Sequence, residues 1–354
     1  MTPGGDGLTP GGDAAQPLGN TSPLWRRAWH PVAAAEDLAD GGPVQVLVAG
    51  QPWAVARLDG ALVAFADTCP HRLAPVSAGR VATAGDGTGR LVCGYHGWQF
   101  DATGQCTLIP SLGRDGSISK RASLRPAFGV TAAYGLIWLA PDEPLSPLPA
   151  FPEWDAAGMT GARSRTVRTR ASAGHLVDNF LDAAHFPFVH AASFGVAGDG
   201  PLAAGDVTTA GWLVTGVFDT PYRDGGVVVS HRVIKTAGVS PCAHVRLELP
   251  GVTIGVLLAC QPEDADCTRV FKLITRSDIG GDAGRLAAFV REEDQILAED
   301  LAILGRYPSG LLPLDLRAEV HTRADRLSLA WRRLMAGAAE VRLGLFTRRW
   351  PWSG

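Results

Sequence analysis

Two strings constrain this chain more than anything else in it: Cys69-Pro70-His71-Arg72 and Cys93-Gly94-Tyr95-His96-Gly97-Trp98, with 21 residues between His71 and Cys93. Both lie in a region, Pro43 to about Pro141, where short apolar runs alternate with turn signals, the pattern of an antiparallel all-β module. VQVLV, WAVARL, the Asp59-Gly60 turn and ALVAFA predict one meander. LVCGYHGWQF, a turn over Asp101 to Gly104, and QCTLI predict a second hairpin, and VTAA-Tyr-Gly-LIWLA a closing pair. Each Cys/His pair is thereby expected at the tip of a hairpin. Two thiolates and two imidazoles offered by opposed loops can grip one compact inorganic centre.

Five prolines in PDEPLSPLPAFP, residues 141 to 152, admit neither a helix nor a central strand and predict a domain boundary. Residues 25 to 145 are then an all-β domain. Over residues 146 to 354, helical patterns at Ala173 to Phe186 and 284 to 304 flank strand-like runs at 206 to 276 (VVVSHRVI, HVRLEL, VTIGVLLAC, RVFKLIT). That half is expected to be α+β, an antiparallel sheet flanked by helices. Residues 1 to 24 are rich in Gly, Pro and Asp with no basic segment leading into an apolar run, which predicts a flexible tail and not a secretion signal. No stretch approaches the roughly 18 consecutive apolar residues of a spanning helix, so the cytoplasm is the default location. A net charge of −3 gives no electrostatic case for nucleic acid or an anionic membrane as partner. Six cysteines without a signal peptide argue for reduced thiols or metal ligands.

A structural Cys₂His₂ zinc site uses wider pairs, C-x₂₋₄-C and H-x₃₋₅-H. C-x-H with C-x₂-H fits a Rieske [2Fe–2S] centre better, in which two cysteines hold one iron and two histidines the other. At these residues the chain resembles the Rieske non-heme iron oxygenases, whose cluster motifs have the form C-P-H-R and C-x-Y-H-G-W. The resemblance implies Cys69, His71, Cys93 and His96 as cluster ligands and VATAGDGTGR (81 to 90) as an inserted surface loop. Trp98 and Tyr95 are expected to be core aromatics, and Cys106 a buried hydrophobe.

A second constellation lies in Asn179-Phe180-Leu181-Asp182-Ala183-Ala184-His185-Phe186-Pro187-Phe188-Val189-His190. Asn179, Asp182 and His185 fall on one stripe of a helix, and the turn that Pro187 starts can bring His190 back to His185. Two neutral histidines and a carboxylate on one face of an iron leave positions open for O₂ and substrate. The segment is similar to the family's N-x-x-D-x-x-H-x₄-H. That resemblance implies His185 and His190 as ligands of a mononuclear Fe(II), Asp182 as a carboxylate bridging toward a cluster histidine of a neighbouring subunit, and Asn179 as an active-site residue. The third ligand is expected on the late helix. Arg291-Glu292-Glu293-Asp294-Gln295-Ile296-Leu297-Ala298-Glu299 resembles the E-D-x-x-(I/V)-x-E form of single-subunit enzymes such as the dicamba and vanillate O-demethylases and selects Asp294. Helical phase favours Glu293 instead and leaves it in reserve.

The resemblance implies a terminal oxygenase that hydroxylates or oxidatively demethylates a small apolar substrate, aromatic or alicyclic, with O₂ as co-substrate. No dinucleotide fingerprint or plant-type ferredoxin spacing is present, so an external reductase or ferredoxin is required, and NAD(P)H acts only through it. A relay between subunits implies a homotrimer. The rival readings are ring cis-dihydroxylation, a non-catalytic electron-transfer protein and a zinc-stabilised module. Phe218, Tyr222, Val252, Ile254 and Leu257 are candidate pocket residues.

Overall fold

The computed structural model describes residues 16–38, 41–113, 116–194, 205–224 and 227–342. Its N-terminal half is built from ten short strands: β1 (His30–Ala34), β2 (Val44–Val48), β3 (Gln51–Leu58), β4 (Ala61–Ala66), β5 (Arg80–Thr83), β6 (Gly89–Val92), β7 (Gln99–Phe100), β8 (Cys106–Leu108), β9 (Gly129–Ala133) and β10 (Leu136–Ala140). They form three antiparallel sheets in the orders β2-β3-β4, β5-β6-β7-β8 and β1-β10-β9. The Asp59-Gly60 turn joins β3 to β4 with both residues at positive φ, 51° and 81°, the two-residue geometry that matches strand twist. The predicted meander and closing pair are present. Cys69, however, does not cap a hairpin, because β4 and β5 belong to different sheets and its loop crosses between them.

The second half carries β11 (Thr160–Arg163), β12 (Val167–Thr169), α1 (Ala173–Leu181), α2 (Phe186–Val189), α3 (Ala191–Phe194), β13 (Asp206–Ala210), β14 (Leu213–Asp224), β15 (Val227–Gly238), β16 (Cys242–Leu249), β17 (Val252–Asp264), β18 (Cys267–Arg276), α4 (Ala283–Leu304) and α5 (Arg326–Arg342). The strands make an eight-stranded antiparallel sheet among the described residues, and β13 to β18 follow one another as neighbours. Helices α1 and α5 pack together over β14 to β17, while Phe289 of α4 packs with Ile254 and Ile274. This is the expected α+β half. No helix of the described residues is long and apolar enough to cross a membrane.

Three expectations need correction. The helix expected to run from Ala173 to Phe186 ends at Leu181, because Asp182 takes extended backbone (φ −69°, ψ 144°). Pro187 then occupies the first turn of α2, where its missing N–H costs nothing. The tail expected over residues 1 to 24 does not extend to residue 24: residues 1–15 lie outside the described residues, but 16–24 are packed. Leu18 and Leu312 exchange backbone hydrogen bonds of 2.8 and 3.0 Å, and Leu18 and Leu24 are buried. Asn20 donates to Thr268 Oγ1 and accepts from Ala173 N at the start of α1. Nor does the proline-rich stretch separate two cores. Trp25, Val48 and Trp53 share one core with Leu176, Leu181, Leu258 and Trp331.

Candidate metal centres

The two Cys/His loops differ in sequence yet close in the same way. Cys69 N donates to Ala74 O (2.8 Å) while Leu73 N donates to Cys69 O (2.9 Å). Cys93 N donates to Trp98 O (2.9 Å) while Gly97 N donates to Cys93 O (3.0 Å). Each loop turns on a left-handed residue, Leu73 (φ 60°) or Gly97 (φ 71°). Buried Asp67 ties the base of the first loop by accepting from Ser77 N, Ser77 Oγ and Gln45 Nε2. The outcome is that His71 and His96 stand edge to face with ring centroids 4.4 Å apart, on the same two loops that carry the buried thiols of Cys69 and Cys93. Burial, aided by the neighbouring Cys93, pushes the Cys69 thiol up to about 11. Desolvation first, and His96 second, hold the His71 imidazole below its ordinary value. His71 Nδ1 is buried with no hydrogen-bond partner among the described residues, which is what a nitrogen reserved for a metal leaves behind. The four residues fit a [2Fe–2S] cluster held by two thiolates and two imidazoles.

Trp98 stacks on His71 at 4.8 Å and 9° and is only half-buried, and Tyr95 lies 66% exposed against His96. Trp98 packs against the core as expected while also stacking on His71, and the expectation for Tyr95 is corrected: it lies exposed beside His96. Cys106 is the buried hydrophobe expected.

The second site is made by the end of α1, the elbow 182–185, α2 and α4. Asp182 Oδ1 accepts from Ala184 N, and its Oδ2 accepts from His185 N and from His185 Nδ1 at 2.9 Å. His190 Nδ1 donates to Glu299 Oε2 at 2.8 Å, and Ser193 Oγ and Gln295 Nε2 hold Glu299 in turn. A carboxylate only accepts, so each imidazole keeps its proton on Nδ1 and turns the lone pair of Nε2 inward. Those two Nε2 atoms converge on Asp300 Oδ1, at 3.4 Å from His185 and 3.1 Å from His190. The three donor atoms lie within 4.8 Å of one another. Asp300 Oδ1 makes no hydrogen bond of acceptable geometry although it is buried. Lone pairs facing a carboxylate oxygen need a cation between them, and two imidazoles with one carboxylate fit a mononuclear Fe(II).

The carboxylate brought to the histidines is therefore Asp300, and the expectation of Asp294 is corrected. Asp294 is half-exposed on another side of α4 and accepts from Arg165 N at 3.0 Å. The reserve, Glu293, is engaged by buried Lys272 at 2.6 Å. Asn179 is half-buried on α1, and its side chain has no hydrogen-bond partner among the described residues. Sequence reasoning also missed the role of Glu299, although it ends the very motif that was read. Of the candidate pocket residues, Ile254 and Val252 pack toward Phe289 and Leu257 into a core with Trp138 and Phe271; the side chain of Tyr222 lies outside the described residues.

Comparison with known proteins places each half of the chain in a known domain family. Residues 28–128 match the Rieske [2Fe-2S] domain, and residues 169–341 match the vanillate O-demethylase oxygenase C-terminal domain. Methylxanthine N3-demethylase NdmB of Pseudomonas putida is 35% identical over 172 residues, covering 47% of this chain and 48% of that protein. Flavonoid 8-hydroxylase 2 of Ocimum basilicum is 35% identical over 182 residues, covering 47% and 34%. The matched part thus spans about half or less of these curated relatives. Among solved structures, NdmA of P. putida CBB5 superposes with a TM-score of 0.79 at 24% identity over 92% of this chain and 94% of that one. Dicamba monooxygenase superposes at 0.69 with 20% identity, over 90% and 98%.

Proposed function

Since the chain belongs to the Rieske non-heme iron oxygenases, with a [2Fe–2S] centre in its first half and a mononuclear iron in its second, we propose that it is the terminal oxygenase of a short electron-transfer system. Its substrate is a small apolar compound, hydroxylated or oxidatively demethylated, and the names of its relatives favour an N- or O-methylated or a phenolic aromatic. When bound, the cluster supplies one-electron transfer and the iron supplies activation of O₂. The observation that carries the reading is the convergence of His185 Nε2, His190 Nε2 and Asp300 Oδ1 with their outer nitrogens locked by Asp182 and Glu299.

Cys69, His71, Cys93 and His96 hold the cluster, and the half-exposed His71 with exposed His96 opens it to an external reductase or ferredoxin that spends NAD(P)H. Asp182 keeps His185 in the ligating tautomer and retains 25% side-chain exposure. It can reach beyond its own chain, and we assign it the contact with a cluster histidine of a neighbouring copy in a homotrimer. The six free cysteines suit a reducing cytoplasm.

Demethylation balances as R–X–CH₃ + O₂ + 2e⁻ + 2H⁺ → R–XH + CH₂O + H₂O. The test is reconstitution of the purified protein with a surrogate reductase, NADH and candidate methylated aromatics. Formaldehyde or a monohydroxylated product in step with O₂ consumption is expected. A colourless protein without a Rieske electron paramagnetic resonance (EPR) signal, or O₂ uptake that no substrate couples to product, overturns the reading.

A further inference from the structure

Strand β15 turns Val233, Lys235 and Ala237 to the buried face of the sheet, where an apolar residue is the rule, yet Lys235 is fully buried. The chain contains three lysines among its 32 basic residues, so a lysine here is not compositional habit. Its partners explain how the charge is tolerated. Nζ donates to Phe180 O at 2.9 Å and to Asp182 O at 2.7 Å, and lies 4.6 Å from the centroid of the Phe186 ring. Two carbonyls and one π face occupy the three N–H directions of an ammonium. The carbonyls are those that the end of α1 leaves without intrahelical partners, at the negative pole of the helix.

These three partners bracket one short stretch. Phe180 and Asp182 precede the elbow, Phe186 follows it, and between them are the carboxylate that orients His185 and His185 itself. Asp182 shows its carbonyl to Lys235 and its carboxylate to His185, so the lysine fixes the backbone on which that carboxylate pivots.

We propose that Lys235 is a positioning residue of the mononuclear iron centre, clamping the 180–186 elbow so that Asp182 holds His185 in ligating orientation. The inference rests on the reading of His185, His190 and Asp300 as iron ligands. Burial draws the Lys235 ammonium down to about 8, with Asp182 and Asp300 opposing that shift. An arginine would not serve, since a planar fork cannot place one point charge between two carbonyls and a ring.

The test compares wild type, Lys235→Met, Lys235→Ala and His185→Ala, each reconstituted with Fe(II). Four quantities are read: the EPR signal of the reduced cluster, that of the nitric oxide adduct of the mononuclear iron, Fe(II) affinity, and hydrogen exchange over 180–190. In Lys235→Met the cluster signal stays as in wild type and exchange over 180–190 quickens. Its Fe(II) affinity falls about 10- to 100-fold, the scale of losing an outer-shell support, and the nitrosyl signal changes shape. In Lys235→Ala, propylammonium but not propanol restores affinity and line shape, which a purely packing role does not predict. Wild-type affinity and line shape in Lys235→Met, whatever its melting temperature, overturn the proposal; should that variant not fold, normal Fe(II) binding by Lys235→Ala without amine does so. A nitrosyl signal that survives in His185→Ala overturns the ligand assignment instead, independently of Lys235.

Discussion

Asp300 and Asp294 sit on one helix and differ in everything that makes a carboxylate a ligand. At about 100° per residue, six positions put them roughly 120° apart, whereas Glu293 and Asp300, seven apart, nearly eclipse. The inward stripe of Leu286, Val290, Leu297 and Leu304 runs through both Glu293 and Asp300, so phase was pointing along the right stripe but two turns early. Nothing in a single sequence says which of the stripe's acids meets His185 and His190, because that depends on how α4 slides along the sheet, fixed by packing such as Phe289 on Ile254 and Ile274. Asp300→Ala is expected to abolish the nitrosyl-iron signal and turnover while the cluster signal persists, and Asp294→Ala to keep both; the reverse pattern by EPR would restore Asp294. The two Cys/His pairs proposed to hold the cluster could be picked out from the sequence, since their chemistry is carried by spacing within single loops. A second residue-scale prediction concerns acid. His30 is fully buried, with Nε2 2.5 Å from Trp25 O and Nδ1 unpartnered, and burial lowers it to about 4 from 6.5. The unfolded chain therefore binds the proton first as pH falls. The stability this neutral histidine contributes is present above about 6.5 and is lost between there and about 4, at about 1.4 kcal/mol per pH unit. His30→Gln should flatten the pH dependence of the melting temperature across that window.

The element that determines the iron site is α1, which is too short to be stable alone and is held from outside at every turn. Ser172 caps its start by accepting from His175 N, with Asn20 accepting from Ala173 N. Arg332 of α5 grips Asp178 in mid-helix with bonds of 2.8 and 2.6 Å, and Lys235 takes the far end. The Arg332 and Asp178 side chains are 8% and 17% exposed, so removing one partner strands a buried charge. Arg332→Ala is expected to cost about 3–5 kcal/mol by denaturant unfolding, and Arg332→Met combined with Asp178→Leu to recover most of it. If the single and double variants unfold alike, the pair is not what anchors α1. Here the sequence was half-informative. It showed a helix with ligands on it, but not that the helix stops at Leu181, where the Asp182 carboxylate turns back onto Ala184 N and His185 N and Lys235 grips the carbonyls of Phe180 and Asp182.

On the scale of the whole molecule, a relay through Asp182 to a neighbouring copy makes a definite demand. Asp182→Asn, whose amide oxygen can still accept from His185 Nδ1, should leave both centres filled and visible by EPR in excess Fe(II) while turnover drops by about 10- to 100-fold, and the native mass should be three times 37.1 kDa. A monomer of full activity would end the intersubunit reading. The two-domain pattern was legible, but the core that Trp25 and Trp53 share with Leu176 and Trp331 was not, because apolar residues do not announce their partners across the chain. The clasp of Leu18 on Leu312 has a consequence for how this protein is made. Residue 18 leaves the ribosome long before its partner at 312 exists, roughly 15 to 60 s earlier at ordinary elongation rates. Throughout that interval Leu18 lacks its native backbone partner, and the glycine- and proline-rich sequence around it is a poor template for premature pairing. The bridge between Leu18 and Leu312 therefore closes late, after both partners of the bond from Ala173 N to Asn20 at the start of α1 have been made.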